Sequence, residues 1–168
     1  MLSTATLPDA LRRVDSPIGR ILLTGDGEAV TGLSMQRAGA LPLDDAPEQS
    51  DDVLDAAAAQ LTEYFAGRRR SFDVPVRLVG TDFQRAVWDY LATIPYGEIV
   101  SYGAIGLATG RPTAGRAVGG AVGANPVPLL VPCHRVLGIS RRITGYSGGD
   151  GIPTKAWLLA HEGIEHRA

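Results

Sequence analysis

Residues 101–126 read Ser101-Tyr-Gly-Ala-Ile-Gly-Leu-Ala-Thr-Gly110-Arg-Pro112-Thr-Ala-Gly-Arg116-Ala-Val-Gly-Gly-Ala-Val-Gly-Ala-Asn125-Pro126. Ser101 is suited to cap a short helix that passes through Ile105 and Ala108 and stops at Gly110. Pro112 fits the first turn of a second helix running to about Ala124, where Asn125-Pro126 ends it. Two short helices joined by a tight glycine-containing turn form a helix-turn-helix pattern. Each interior glycine of the second helix costs about 1 kcal/mol relative to alanine, so tertiary packing has to offset the loss. Val118 and Val122 stand one turn apart and face the core. Arg116 lies about 200° from Val118 around the axis and points outward. The outward face is then small residues around one arginine. Two readings are open here: close helix–helix packing, or a smooth face that lets a DNA backbone approach with Arg116 as its probe.

The segment upstream of the pair also reads as helix. Thr81 and Gln84 fit a capping box before Phe83, Val87 and Leu91, and Pro95-Tyr96-Gly97 breaks that run. The first third of the chain is different. Asp15-Ser16-Pro17-Ile18-Gly19 is a turn signal between short apolar runs. Arg20–Thr24 and Ala29–Met35 read as strands around Gly25-Asp26-Gly27, and residues 38–50 read as a loop. Val53, Ala57, Leu61 and Phe65 give Asp52–Phe65 helical spacing, with a stop at Gly67. Phe72–Leu78 is a further strand or a linker. Downstream, Pro128–Val131 reads as a brief extended segment, and the last helix opens at Pro153 and stops near Gly163. The fold class is α+β. A small N-terminal α/β domain (antiparallel sheet plus helix, residues 1–78) precedes a mainly helical C-terminal domain with the helix-turn-helix (residues 79–168).

Composition narrows the function. No apolar run is long enough to span a bilayer, and Met1–Ala10 shows no signal-peptide pattern, so the expected location is the cytoplasm. Net charge is −2, unevenly spread. Residues 1–75 hold seven arginines against twelve carboxylates; residues 76–168 hold eight arginines and one lysine against six carboxylates. The basic excess of the second part is modest, so DNA binding there has to rest on placed contacts rather than a strong field.

The chain has one cysteine and three histidines. An internal disulfide is impossible, and a zinc site is improbable on this ligand set. A lone cysteine is ordinarily a small buried hydrophobe. Here it stands in Val131-Pro132-Cys133-His134-Arg135-Val136. The thiolate is the nucleophile, and an adjacent histidine can take the thiol proton. An acid that orients the histidine would complete the unit. Glu162 is the candidate, because it sits in the last turn of a helix, where the dipole disfavours a carboxylate. A solvated surface glutamate is the plainer reading of Glu162. His161 fits the Trp157–Leu158 face as a structural residue, and His166 reads as exposed.

The run Phe83–Gly163 closely resembles the O6-alkylguanine-DNA alkyltransferases, the methylated-DNA–protein-cysteine methyltransferase family. The matching pieces are Arg-Ala-Val-Gly at 116–119, Asn-Pro at 125–126, Pro-Cys-His-Arg-Val at 132–136, Gly-Tyr-Ser-Gly-Gly at 145–149 and Lys-Ala-Trp-Leu-Leu-Ala-His-Glu-Gly at 155–163. The N-terminal part, with Ser16-Pro17-Ile18-Gly19, looks like the family's α/β (ribonuclease-H-like) domain.

The resemblance implies direct repair of O6-alkylguanine, with O4-alkylthymine a further substrate, in double-stranded DNA. Cys133 takes the alkyl group once and irreversibly, with no cofactor and no metal. His134 accepts the thiol proton through a water, with Glu162 behind it, and Asn125 braces the segments around the site. Tyr102 and the Ser147 N–H attend the leaving guanine, with Tyr146 and Gly148 shaping the pocket. Arg116 enters the base stack as the nucleotide flips out. Ala114, Gly119 and Arg135 join it on the DNA side, and the second helix meets the minor groove. The expected protein is a monomer, with cooperativity on DNA left open. Arg141 and Arg142 read first as solvated charge, with contact to phosphate the second reading. Two rivals stand beside this reading: an alkyltransferase-like protein that binds damage without repairing it, which Cys133 argues against, and a cysteine hydrolase, which would turn over.

Overall fold

The computed structural model describes residues 6–168, so the leader reading of Met1–Ala10 falls partly outside the described residues. Strands β1 (Ala10–Val14), β2 (Ile21–Gly25) and β3 (Val30–Met35) form an antiparallel sheet in that order. The first turn closes where Gly19 N donates to Ser16 O, with Gly19 at φ +98°. Side chains alternate across a strand, and here both sheet faces are covered. Ile21, Leu23 and Leu33 enter the main core, while Leu11 and Leu22 pack under Leu41 of the loop that follows.

Helix α1 (Asp52–Phe65) is capped by Asp51, whose side chain accepts from Leu54 N. Its buried apolar face is not the expected four-residue series. Leu54, Ala57, Ala58, Leu61 and Tyr64 are buried, while Val53 and Phe65 are only partly covered. A strict spacing of four drifts about 40° per step around an α-helix, so a buried stripe alternates threes and fours. Phe72–Leu78 is a linker that makes one bridge to the sheet, parallel, between Val30 and Val76.

Helix α2 (Asp82–Leu91) has the expected Thr81–Gln84 capping box in both directions. Then come α3 (Tyr102–Ala108), capped by Ser101, and α4 (Gly115–Gly123). Helix α4 starts later than Pro112 predicts. Arg111–Ala114 closes as a turn instead, with Ala114 N donating to Arg111 O, and Pro112 holds the second position of that turn, a place that suits its fixed φ. The turn folds back on α3, where Arg111 N donates to Gly106 O at 2.8 Å. A Cβ at Gly106 would collide with the Arg111 carbonyl, so this close approach requires glycine.

Pro128–Val131 is also not extended. Val131 N donates to Val127 O and Leu129 takes φ +75°, making a tight turn. Short strands β4 (Val100–Ser101) and β5 (Val136–Leu137) pair in parallel and bring the start of α3 against the segment after Cys133. Helix α5 (Ile152–His161) closes the chain, with Pro153 in its first turn. One continuous core joins the sheet and α1 to α2, α4 and α5. Within it Trp88 is buried and satisfies its indole N–H on Ala121 O at 2.8 Å. Among the described residues, no helix is long and apolar enough to cross a membrane.

Candidate active site

The position of Cys133 is set from upstream. Asn125 donates through Nδ2 to Val131 O at 2.8 Å and accepts through Oδ1 from Val127 N at 3.0 Å. One side chain thus closes the 127–131 turn from both ends. Leu33 N of β3 donates to Pro126 O, which fixes the same corner to the sheet. Pro132 then leads into a 3-10 turn over Cys133–Arg135. Cys133 is only 4% exposed. It forms part of the wall of a cavity of about 310 Å³ shared with Tyr102, Gly119, Tyr146, Ser147 and Lys155. It also reaches a second cavity, of about 320 Å³, toward the sheet, where Met35, Pro128 and Gly148 line the walls.

Behind the thiol is a buried charged cluster. His134 Nε2 lies 2.5 Å from Glu162 Oε2. Arg135 donates to both oxygens of Glu162, from Nε at 2.8 Å and from Nη2 at 3.1 Å. Tyr64 OH donates to Glu162 Oε2 at 2.6 Å, and Gly97 N to Oε1 at 3.2 Å. Burial alone would raise the Glu162 carboxyl; its bonds with His134, Arg135 and Tyr64 outweigh that and hold it well below the usual carboxylate range. A carboxylate accepting several charge-assisted bonds stays ionised. Burial lowers His134, opposed by Glu162, and pushes the Cys133 thiol up, opposed by Asn125 and Tyr146 beside it and by the Lys155 charge. The resting pair is therefore a neutral thiol beside a neutral imidazole. His134 Nδ1 is buried and without a hydrogen-bond partner, as is Tyr146 OH.

The other expected residues fall into three groups. Tyr102 opens α3, and its OH lies 3.3 Å from Thr144 Oγ1. Ser147 Oγ donates to Gly123 O at 2.9 Å, tying its loop to α4. Gly148 is hemmed in: a Cβ there would meet Met35 and the Tyr146 ring. On α4, Arg116 is exposed and Val118 and Val122 are buried, as their helical positions require. Ala114 is the half-buried N-cap of α4, without a side-chain cap. A Cβ at Gly115, Gly119 or Gly120 would meet open space, so packing within this chain does not explain those glycines. Arg135 departs from its expected place on the DNA side. It is 5% exposed, and its remaining donor Nη1 bonds Ile94 O at 2.7 Å. Its guanidinium serves Glu162. Glu162 is the C-cap of α5 rather than a member of its last turn. Arg141 and Arg142 are exposed, and His166 is half-buried, with Nδ1 3.1 Å from Ile164 O.

The model of the ribonuclease-like domain of 6-O-methylguanine DNA methyltransferase matches residues 12–78, and that of its DNA-binding domain matches residues 82–164. The chain belongs to this methyltransferase family. A methylated-DNA–protein-cysteine methyltransferase of Mycobacterium tuberculosis is 48% identical over 151 residues, covering 90% of each chain. One from Haemophilus influenzae is 39% identical over 153 residues, covering 90% of this chain and 84% of its own. The crystal structure of the Mycobacterium tuberculosis O6-methylguanine methyltransferase superposes with a TM-score of 0.80 at 46% identity, covering 91% of this chain and 92% of that one. A structure of that organism's protein in complex with DNA gives the same values.

Within this methyltransferase fold, two buried residues beside Cys133 and Glu162 escape sequence reasoning. Lys155 is buried on α5, donating from Nζ to Val136 O at 2.5 Å and Gly145 O at 3.2 Å. Burial pulls it down to about 8, opposed by Cys133. Its signal was a lysine on the buried face of the helix, next to Leu158 and Leu159. Tyr64 had no signal except its place on the buried face of α1. The N-terminal part also grips the loop that carries Ser147: Arg37 Nε donates to Gly149 O at 2.9 Å and Ala38 N to Asp150 Oδ1 at 2.8 Å.

Proposed function

We propose that this chain repairs O6-methylguanine in DNA by one irreversible methyl transfer to Cys133. The observation that carries the reading is the cysteine itself: a buried thiol in a cavity wall, followed by a histidine with one ring nitrogen held by Glu162 and the other free.

The sulfur attacks the methyl carbon as the bond from carbon to guanine O6 breaks. The thiol proton passes to His134, by way of a water, and the bonding electrons stay on the guanine. Charge developing there is stabilised by donors aimed at the base, the Ser147 N–H and the Tyr102 hydroxyl. Asn125 holds the thiol in register, and Tyr146 and Gly148 bound the space for the alkyl group. The product is a thioether with no easy leaving group, so each molecule acts once.

An O6 substituent faces the major groove inside the duplex, so the nucleotide has to leave the stack, at a cost of a few kcal/mol. Helix α4 meets the minor groove, where the open glycine face lets the sugar–phosphate backbone come close. Arg116 fills the gap left in the stack, and Ala114 and Gly119 lie against the DNA beside it. A single chain holds every named group, so the acting unit is a monomer. Work on DNA with a free thiol fits the reducing cytoplasm.

The test uses duplex DNA carrying an isotopically labelled methyl on O6 of one guanine, followed by peptide mapping. Label on the peptide holding Cys133 is the expected result. Label on another residue, or repeated turnover releasing methanol, would overturn the reading in favour of a hydrolase.

A further inference from the structure

We propose that Tyr64, on a helix of the N-terminal half, is a positioning residue for methyl transfer: its hydroxyl sets how tightly Glu162 holds the His134 ring. The proposal rests on the transfer chemistry described above. Tyr64 is 1% exposed and lies 98 residues from Glu162 in sequence, yet its OH donates at 2.6 Å to Oε2, the same oxygen that faces His134 Nε2. Tyr64 OH, His134 Nε2 and Arg135 Nη2 meet on this one carboxylate oxygen and compete for its charge. A phenol of fixed direction therefore tempers the basicity of the imidazole it never touches.

The hydroxyl is aimed by its surroundings. Tyr64 packs edge-on to Phe65, Tyr96 and His161, with ring centroids 5.1, 6.2 and 5.0 Å away. Its own carbonyl lies 2.8 Å from His161 Nε2, which fastens α1 to the end of α5 one residue before Glu162. Burial and the neighbouring Glu162 both raise the phenol, so it stays a donor throughout the working pH range.

Other groups face this cluster from each side. Tyr96 and the Gly97 N–H come from the loop after α2, with Arg70 stacked over the Tyr96 ring at 5.1 Å. Cys133 and Arg135 come from the 3-10 turn, and His161 and Lys155 from α5. Of these, Arg135 and the Gly97 N–H bond Glu162 directly alongside Tyr64 and His134. Arg135 carries a fixed charge, so the phenol is the neutral donor whose removal leaves that balance of charge intact.

The sign of the effect follows. Without the phenol, Oε2 turns more of its charge to His134, and the imidazole becomes more basic. With a neutral resting pair, the acid limb of the rate profile reports loss of the proton from His134. That limb moves up by about one pH unit in Tyr64→Phe, so transfer measured on the limb slows by about 10-fold, the size of one hydrogen bond to a charged group.

The experiment measures methyl transfer from O6-methylguanine duplex DNA across the titration range of imidazole and thiol. It compares wild type, Tyr64→Phe, wild type with 3-fluorotyrosine at position 64, and Phe72→Leu. The fluorinated phenol is the stronger donor and keeps the ring, so its limb moves down; it carries the test if Tyr64→Phe folds poorly. Phe72 packs on the Tyr64 ring at 5.5 Å without touching Glu162, so Phe72→Leu lowers stability and leaves the limb in place. Acid limbs that coincide in wild type and both position-64 proteins would overturn the role of Tyr64 while leaving transfer to Cys133 intact. Wild type that moves no methyl to Cys133 would overturn the functional reading itself.

Discussion

His134 presents Nε2 to Glu162 Oε2 at 2.5 Å and keeps Nδ1 buried and unpartnered. The carboxylate thereby fixes which nitrogen is free and holds the ring in one orientation. Glu162 meets both roles because its two oxygens accept from four residues at once.

Loss of that carboxylate is expected to cost both stability and rate. Glu162→Gln leaves the buried Arg135 without its counter-charge and turns an acceptor into a donor beside Tyr64 and His134. Breaking a buried pair in this way costs about 3–5 kcal/mol. Urea denaturation should show that loss. The transfer rate should fall further than the unfolded fraction accounts for; a stable, fully active Gln variant would count against the arrangement.

Stability should peak between the imidazole and thiol ranges. His134 is pushed down by burial, so the unfolded chain binds its proton first and stability falls as pH drops through roughly 6.5. Glu162 is held down in the fold, so its contribution is lost as pH falls below roughly 4.3. Cys133 is pushed up by burial, so stability also declines above roughly 8.5, partly offset by Lys155, which sheds its proton in the fold from about 8. Melting temperature against pH checks this; a flat acid arm from pH ~6.5 to ~4.3 would contradict the neutral buried His134.

Arg116 is exposed on the glycine-rich face of α4 and does not line the cavity at Cys133. Arg116→Ala should slow repair of duplex DNA by 10-fold or more, about the few kcal/mol that flipping costs, and leave reaction with free O6-methylguanine base near wild type. Equal losses on the two substrates would argue against a role in the duplex.

Gly148→Ala should narrow the pocket. The added methyl would press on Met35, whose flexible end can swing away, and on the Tyr146 ring, which has to shift with it. Transfer of a benzyl group should suffer more than transfer of a methyl group, as paired rate measurements on the two donors would show. A uniform change would place Gly148 outside the alkyl space.

Much of this was legible in the chain itself. Local chemistry writes capping boxes and turns into neighbouring residues, so Thr81–Gln84, the Ser16–Gly19 turn and the outward Arg116 could be read directly. Cys133, His134 and Glu162 were legible by motif. What escaped depends on tertiary distance. Arg135 looked like a DNA contact because a charge is read as exposed until a buried partner is known. Tyr64 was invisible because its partner lies 98 residues away. The late start of α4 and the closed 127–131 turn escaped for a related reason: a backbone bond to Gly106 and the side chain of Asn125 decide them, not the local propensity of Pro112 or Pro128.

The central claim is that Cys133 is consumed as the methyl acceptor. Its most direct test is intact mass after mixing the protein with excess O6-methylguanine duplex DNA. The account predicts a gain of one methylene mass per chain, complete and unchanged on longer incubation, and no gain in Cys133→Ser. A gain that persists in Cys133→Ser, or demethylated DNA in excess of protein without any gain, would contradict it.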